Sequence, residues 1–403
     1  MRRCWSCRRC CSLRCAARFV AVVVVVVVVL VLKPDLAPDA VNKALQRCTD
    51  RESKKLLQNL CHNYTRGLIA GPLCSPLCSK MTIIYEQCLG HGNKIALKAR
   101  WTDRWIVLKA SKESTMAYYV PWNRNDHTII MTTNEVARWV YDFVVSEVNP
   151  YPIDMAFLHD RLLSNLVTKG GNYSRAAVES LWSVLQQGEF LKLFLLAGNK
   201  HIPDVYGWCG HMYAMEYTPI GDAFRRLKLR HTMSWKSRVK IGLSFLEMVR
   251  SFKETQYGEL SLCDVQETNF GLRTSDFTVQ AIDIDLALLP QTRSNFVSQA
   301  EKCTKDSECD FFDCVAYCNY KTNNCTSQMK SSNFQNFCHD IFKTKYFVNQ
   351  GLLEEAPHNV AHELGEILTK CASVPPNSTV KFPETYYSDL YNRLHSLLSK
   401  ESQ

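Results

Sequence analysis

The chain has 403 residues, a net charge of +9, 46% hydrophobic residues and 11% aromatic residues. That is enough apolar mass for one large domain or two smaller ones, and it excludes wholesale disorder. The positive balance is partly local, because Arg2, Arg3, Arg8, Arg9, Arg14 and Arg18 all precede the first acid, Asp35. No nucleic-acid partner is read from it.

Residues 19–32 are 14 uninterrupted apolar residues, mostly valine. A buried element, a cleaved signal peptide and an uncleaved signal anchor are the competing readings. Length favours the signal peptide, since a span usually needs about 20 apolar residues. Against it, no small-x-small cleavage site stands at 33–40, and Ala16, Ala17 and the stems of Arg18 and Lys33 can lengthen the span. A short span also suits the thin membrane of the endoplasmic reticulum. The expectation is therefore a single-pass type II protein: cytosolic Arg/Cys-rich tail 1–18, transmembrane signal anchor 19–32, and a lumenal remainder.

Cysteine usage agrees. Five cysteines precede the apolar run and fourteen follow it, an even number consistent with up to seven disulfides in an oxidising compartment. Four N-glycosylation sequons, at Asn63, Asn172, Asn324 and Asn377, lie on the same side. The tail cysteines next to arginine suit S-palmitoylation; zinc on Cys4, Cys7 and Cys10, or simple exposure, are the alternatives.

After a proline-bearing stalk at 33–47, residues 48–88 hold five cysteines. With Cys74-Ser75-Pro76-Leu77-Cys78 opposing regular structure, they read as a stapled N-terminal cap. Alternating patterns predict strands at 81–88, 94–101 and 104–110, with turns at Gly90-His91-Gly92-Asn93 and Thr102-Asp103. Helical spacing follows at 176–197, two short strands at 203–217 around Gly207 and Gly210, and a helix at 234–255. Sheet first and helices later, with a helix before the fourth strand, predicts an α+β, two-lobed protein-kinase-like fold with disulfide-rich insertions. The small lobe with an insertion is expected at 89–217 and the large lobe at 218–403, including a cysteine-rich segment at 303–338.

Candidate chemistry appears in that order. Lys109, ending Ile106-Val107-Leu108-Lys109, suits a lysine on the third strand that holds nucleotide phosphates, with Lys98 as a rival on the second. It follows Gly92 by 17 residues, and Gly90-x-Gly92 is a weak phosphate cradle. Glu189 is the candidate partner of Lys109, with Glu179 as the alternative. In Leu262-Cys263-Asp264-Val265-Gln266-Glu267-Thr268-Asn269, Asp264 and Asn269 have the spacing of a catalytic base and a metal-binding Asn. Asp283, 14 residues further on and ending an apolar strand, stands where a metal-binding Asp belongs. Asp285 replaces the glycine of D-F-G.

These residues, together with the anchor, the cysteine-rich cap and the stretch Pro203-Asp204-Val205-Tyr206-Gly207-Trp208-Cys209-Gly210, resemble the divergent protein kinase domain 1 family. The resemblance covers nearly the whole chain. It implies a type II membrane protein of the endoplasmic reticulum with a kinase-like fold and poorly defined substrates. ATP with Mg or Mn would be the cofactors, Asp264 the general base, and Asn269 and Asp283 the metal ligands. Lys109 would hold the phosphates and Glu189 would fix Lys109.

Departures from that pattern are visible. Leu262 and Cys263 replace the histidine and arginine that support the catalytic loop. The calcium loop of relatives reads Val167-Thr168-Lys169-Gly170-Gly171-Asn172-Tyr173-Ser174 here, without acidic ligands, so no calcium is expected. Cysteines and the acids Asp306, Glu308, Asp310 and Asp313 replace the activation segment. The acids are expected to be solvated rather than to hold a cation, and His362-Glu363 lacks the second histidine of a zinc protease. The expected function is a lumenal kinase acting on a protein or glycan acceptor. A pseudokinase scaffold and a cysteine-rich adhesion or receptor ectodomain are the alternatives.

Overall fold

The structure, a computed structural model, describes residues 49–91, 94–111, 132–166, 173–219, 233–273, 275–298, 302–343, 351–373 and 384–402. The apolar run at 19–32, the tail, the stalk and Gly92 lie outside them. Among the described residues no helix is long and apolar enough to cross a membrane.

The cap opens with helix α1 (Asp50–Thr65), whose first turn is closed by the Thr49 hydroxyl accepting from the Glu52 amide at 3.2 Å. The irregular cap expected from the sequence is thus partly helical. Leu57 and Leu60 stand one turn apart and bury together, a gain that the later cysteines and Pro76 do not oppose. Cys61–Cys78 closes the cap on itself, and Cys74–Cys209 fastens it to the sheet.

The small-lobe sheet is antiparallel, in the order β1 (Ile83–His91), β2 (Lys94–Trp101), β3 (Arg104–Ser111), β5 (Met212–Glu216), β4 (Val205–Cys209). Since β1 pairs with β2, the expected cap boundary at 88/89 falls inside a sheet strand. Alternation assigns the faces: Ile95, Leu97, Ala99, Ile106, Leu108 and Ala110 pack under the cap, whereas Ala96, Val107 and Lys109 face the interlobe cleft. The cap therefore covers a face that a plain antiparallel sheet would leave to water.

The insertion after β3 contains helix α2 (Thr133–Val148), started by a capping box between Thr132 and Glu135. It buries Val136, Val140, Val144 and Val148 in the main core. The single helix expected over 176–197 is two, α3 (Arg175–Leu185) and α4 (Gly188–Leu195). Gln187 causes the break. Its amide nitrogen donates to the Ser183 and His211 carbonyls, at 3.2 and 2.6 Å, and its Oε1 accepts from the Ser111 amide at 2.9 Å. One side chain so ties α3, the end of β3 and the β4–β5 turn together, and it aims α4 at the cleft.

In the large lobe, helix α5 (Trp235–Lys253) is capped by Ser234, the short strand β6 (Ser261–Leu262) pairs with β9 (Ala287–Leu288) ahead of helix α6 (Pro290–Ser298), and the hairpin β7 (Phe270–Arg273)–β8 (Thr278–Ala281) lies beneath the cleft. Phe245, Phe270 and Phe337 meet edge to face at centroid distances of 4.9–5.5 Å. A three-stranded unit, β10 (Asp310–Phe311), β11 (Cys314–Asn319) and β12 (Asn324–Met329), fills the cysteine-rich segment. It is closed by Cys303–Cys318 and Cys309–Cys325 and joined to the lobe by Cys263–Cys314. Cys338–Cys371 joins the short helix α7 region to helix α8 (His358–Ala372), where α7 is Asn333–Phe337. Cys88 is also disulfide-bonded.

Candidate active site

Lys109 enters the cleft from β3. Its buried ammonium donates to Glu189 Oε1 at 2.7 Å and to the Ile282 carbonyl at 2.8 Å. Glu189, in the first turn of α4, is only 3% exposed, and its Oε2 accepts from the Tyr213 hydroxyl and from Lys94, both at 2.9 Å. Burial works to raise the Glu189 carboxyl, but the charges of Lys109 and Lys94 outweigh it and hold the pKa down to about 2. Burial and the neighbouring Glu189 push the Tyr213 phenol well above its ordinary range. Glu179 stands apart on α3, paired with Arg175 at 2.8 Å. Lys98 lies over the Trp105 and Tyr217 rings at 4.3 and 4.5 Å.

The residue that sequence reasoning missed is Lys94, at the start of β2. Its Nζ is 2.6 Å from Asp283 Oδ1, 2.9 Å from Asp285 Oδ2 and 2.9 Å from Glu189 Oε2. Burial opposes its charge, yet the three carboxylates win and raise its pKa above the usual lysine value. A signal for it existed: Lys94 is two residues from Ala96, so strand alternation sends both to the cleft face.

Asp283 ends the backbone run after β8, where the Ile282 and Asp283 amides donate to the Asn269 carbonyl at 2.9 and 3.3 Å. The structure thereby brings Asp283 and Asn269 side by side. Burial, then the charge of Glu189, raises the Asp283 carboxyl, while Lys94 overcomes burial and lowers that of Asp285. Lys192, one turn after Glu189 on α4, donates to the Ile284 and Asp285 carbonyls at 3.0 and 2.6 Å. Burial depresses this ammonium to about 8. One helical face therefore fixes both Lys109 and the segment carrying the acids.

Below them, Asp264 Oδ2 accepts from Gln266 Nε2 at 2.8 Å and Asn269 Nδ2 at 2.7 Å. The support judged missing at Leu262 and Cys263 is supplied by other chemistry. Cys263 is disulfide-bonded to Cys314, and Asp313 takes the Val265 amide at 2.6 Å while its own amide donates to the Cys263 carbonyl. Asn333 accepts the Leu262 amide and donates to the Leu260 carbonyl, each at 2.7 Å.

Between the lobes lies a cleft of about 110 Å³, lined by Leu89, Ala96, Val107, Lys109, Met215, Tyr217, Thr268, Ile282 and Asp283 among others. Its floor is close-packed: a Cβ on Gly271 would stand 2.8 Å from the Thr218 side chain. Gly90, in β1, has open space on that side, and Gly92 lies outside the described residues. A larger cavity of about 930 Å³, lined by Arg250, Lys253, Arg293 and Tyr391 among others, is built from the far side of the large lobe and contains none of these groups.

The other sequence candidates fall elsewhere. Asp306 is used by the Cys318 amide, Tyr320 and Lys330, Glu308 by Thr304, and Asp313 by the Asp264 loop. Sulfurs of Cys303, Cys309 and Cys318 cluster, but all are in disulfides. His362 and Glu363 are exposed on α8. Residues 167–172 of the calcium-loop position lie outside the described residues.

The ion pair, the D-x4-N loop and the paired acids now share one cleft. Matches to known proteins agree with that geometry: a family model described as the protein-kinase domain of FAM69 covers residues 181–374, and one described as the N-terminal cysteine-rich endoplasmic-reticulum region of FAM69 covers residues 9–138. The chain belongs to the FAM69 family. The resemblance drawn from the sequence is thereby borne out, and the domain is kinase-like, of mixed helix and sheet, and disulfide-rich. Protein O-mannose kinase of Xenopus laevis is 24% identical over 126 residues, 28% of this chain and 36% of that protein. The alignment thus spans about a third of the relative's length. FAM69 members are kinase-like in general, for which ATP and a divalent metal are the general cofactors.

Proposed function

We propose that this FAM69 protein is a lumenal, type II membrane-anchored protein of the endoplasmic reticulum that binds ATP between its lobes and transfers the γ-phosphoryl group to a hydroxyl of a secretory-pathway substrate. The observation that carries it is the buried Lys109–Glu189 pair held against the Asp283 segment, with Asp264 and Asn269 joined below. In this reading Lys109 bonds the α and β phosphates and Glu189 keeps it aimed. Both contacts to Asp264 fall on Oδ2, so Oδ1 takes the proton of the acceptor hydroxyl. Phosphoryl transfer asks the protein mainly for positioning and charge, which a rigid, disulfide-braced loop supplies. The partial alignment with protein O-mannose kinase supports testing a glycan hydroxyl beside protein hydroxyls as the acceptor.

The disulfides, six of them with both partners among the described residues, the name of the N-terminal family model and the arginine-flanked apolar run at 19–32 support the lumenal placement. A second reading, a pseudokinase that acts through partner contacts, is favoured by the narrow cleft and by the Lys94 ammonium across it.

The test is a thermal shift of the full-length protein with ATP, followed by phosphate transfer to secretory proteins and glycans. Stabilisation lost in Lys109→Ala, with transfer lost in Asp264→Asn, supports the kinase. Stabilisation without transfer supports the scaffold, and no stabilisation by ATP removes the nucleotide-binding reading.

A further inference from the structure

The cleft already holds a cation. An ammonium has three donors, and those of Lys94 meet Asp283, Asp285 and Glu189 at 2.6, 2.9 and 2.9 Å, the lengths of charge-assisted bonds. A divalent ion shared by Asp283 and Asp285 would sit about 2.0–2.1 Å from its oxygens, in the volume that this nitrogen occupies. The residues as arranged therefore do not fit a metal bridging the two acids.

Charge balance points the same way. Glu189, Asp283 and Asp285 are paired with Lys94 and Lys109, and Lys192 adds a third amine beside them through the Ile284 and Asp285 carbonyls. Carboxylates recruit a divalent ion when their charge is uncompensated, and here each already has a cationic or amide partner. The polyphosphate of a nucleotide is what this group lacks: it would accept bonds from Lys109 and, by exchange for one carboxylate, from Lys94.

We propose that Lys94 is the cleft's resident cation, standing in for the divalent ion and contacting the phosphates, so that a nucleoside triphosphate binds without metal. This rests on the nucleotide-binding reading. The competing possibility is that Lys94 only latches the empty cleft and yields to the ion.

The experiment titrates full-length protein with a fluorescent ATP analogue, once with a chelator and once with Mg²⁺, and separately with Mn²⁺ alone followed by electron paramagnetic resonance. Wild type should bind the analogue with affinities within about threefold in the two conditions, and Lys94→Met should lose about tenfold or more in chelator and recover with Mg²⁺. Lys94→Arg should keep metal-free binding, and it guards against a Lys94→Met variant that does not fold. In the Mn²⁺ arm wild type should stay unoccupied while Lys94→Met gains a site. Binding by wild type that needs Mg²⁺ overturns the proposal, as does Mn²⁺ binding that is equal in wild type and Lys94→Met. Absence of analogue binding in every condition defeats the nucleotide reading instead, and the Mn²⁺ arm still decides whether Lys94 holds the metal's place.

Discussion

Cys263, the residue directly before Asp264, is bonded to Cys314 at the start of β11, so the loop carrying the candidate base is covalently part of the cysteine-rich unit. The bond closes a segment of 51 residues. Its loss frees the unfolded chain and loosens the Asp313 contacts with Cys263 and Val265. The double variant Cys263→Ser/Cys314→Ser should lose about 2–4 kcal/mol in urea unfolding. An unchanged midpoint would show that hydrogen bonds alone hold the loop.

The Glu189 pairing makes an acid limb. Its folded pKa of about 2 lies below the ordinary glutamate value, so its stabilisation is full above about pH 4.5 and is lost as pH falls toward 2. Glu189→Gln should cost about 3 kcal/mol at neutral pH, since Lys94 and Lys109 lose their shared anion. Melting curves of the two proteins should converge as pH drops from 4.5 to 2.5, and curves that stay parallel would mean the carboxylate charge contributes nothing.

Spacing made much of this site legible. Lys109, Glu189, Asp264, Asn269 and Asp283 are separated by intervals that the two-lobed fold imposes, and the third-strand template pointed to Lys109 rather than to Lys98 on the second strand; the structure sets Lys109 against Glu189. Alternation places Lys94 on the cleft face but not what it meets there, and Lys192 was not legible at all: a lysine at a strand end or on a helix is ordinarily solvated, and only the packed sheet and α4 reveal three acids around Lys94 and two backbone carbonyls around Lys192. Helix α2 carried a signal that went unread: Thr132-x-x-Glu135 is a capping box, and Val136, Val140 and Val144 recur every four residues. Valine's strand preference obscured it. The Cys263–Cys314 pairing follows from three-dimensional placement, to which cysteine counting is blind.

Lys192 should reveal itself at alkaline pH. Burial lowers its folded pKa to about 8, whereas the unfolded chain keeps the ordinary lysine value near 10.5. Below pH 8 both states are protonated and the buried charge is most costly. Between 8 and 10.5 the unfolded state binds more protons, so stability from this group rises with pH. Relative to Lys192→Met, wild type should gain thermal stability from pH 7.5 to 9.5, with a total approaching about 3 kcal/mol for complete deprotonation. A difference that does not change with pH would mean that the buried ammonium stays protonated, as it is in the unfolded chain, across this range.

Asn333 tests whether the Asp264 loop is positioned from below. It is 5% exposed, and its two short bonds satisfy the Leu262 amide and the Leu260 carbonyl, on either side of Ser261. Alanine would leave both backbone groups buried without partners, at about 2–4 kcal/mol in chemical denaturation. Asn333→Asp keeps the acceptor for Leu262 but turns a carboxylate oxygen toward the Leu260 carbonyl. It should therefore be less damaging at pH 4, where protonation restores a donor, than at pH 8. If Asn333→Ala unfolds at the wild-type midpoint, the loop takes its shape from the Cys263–Cys314 bond and Asp313 alone.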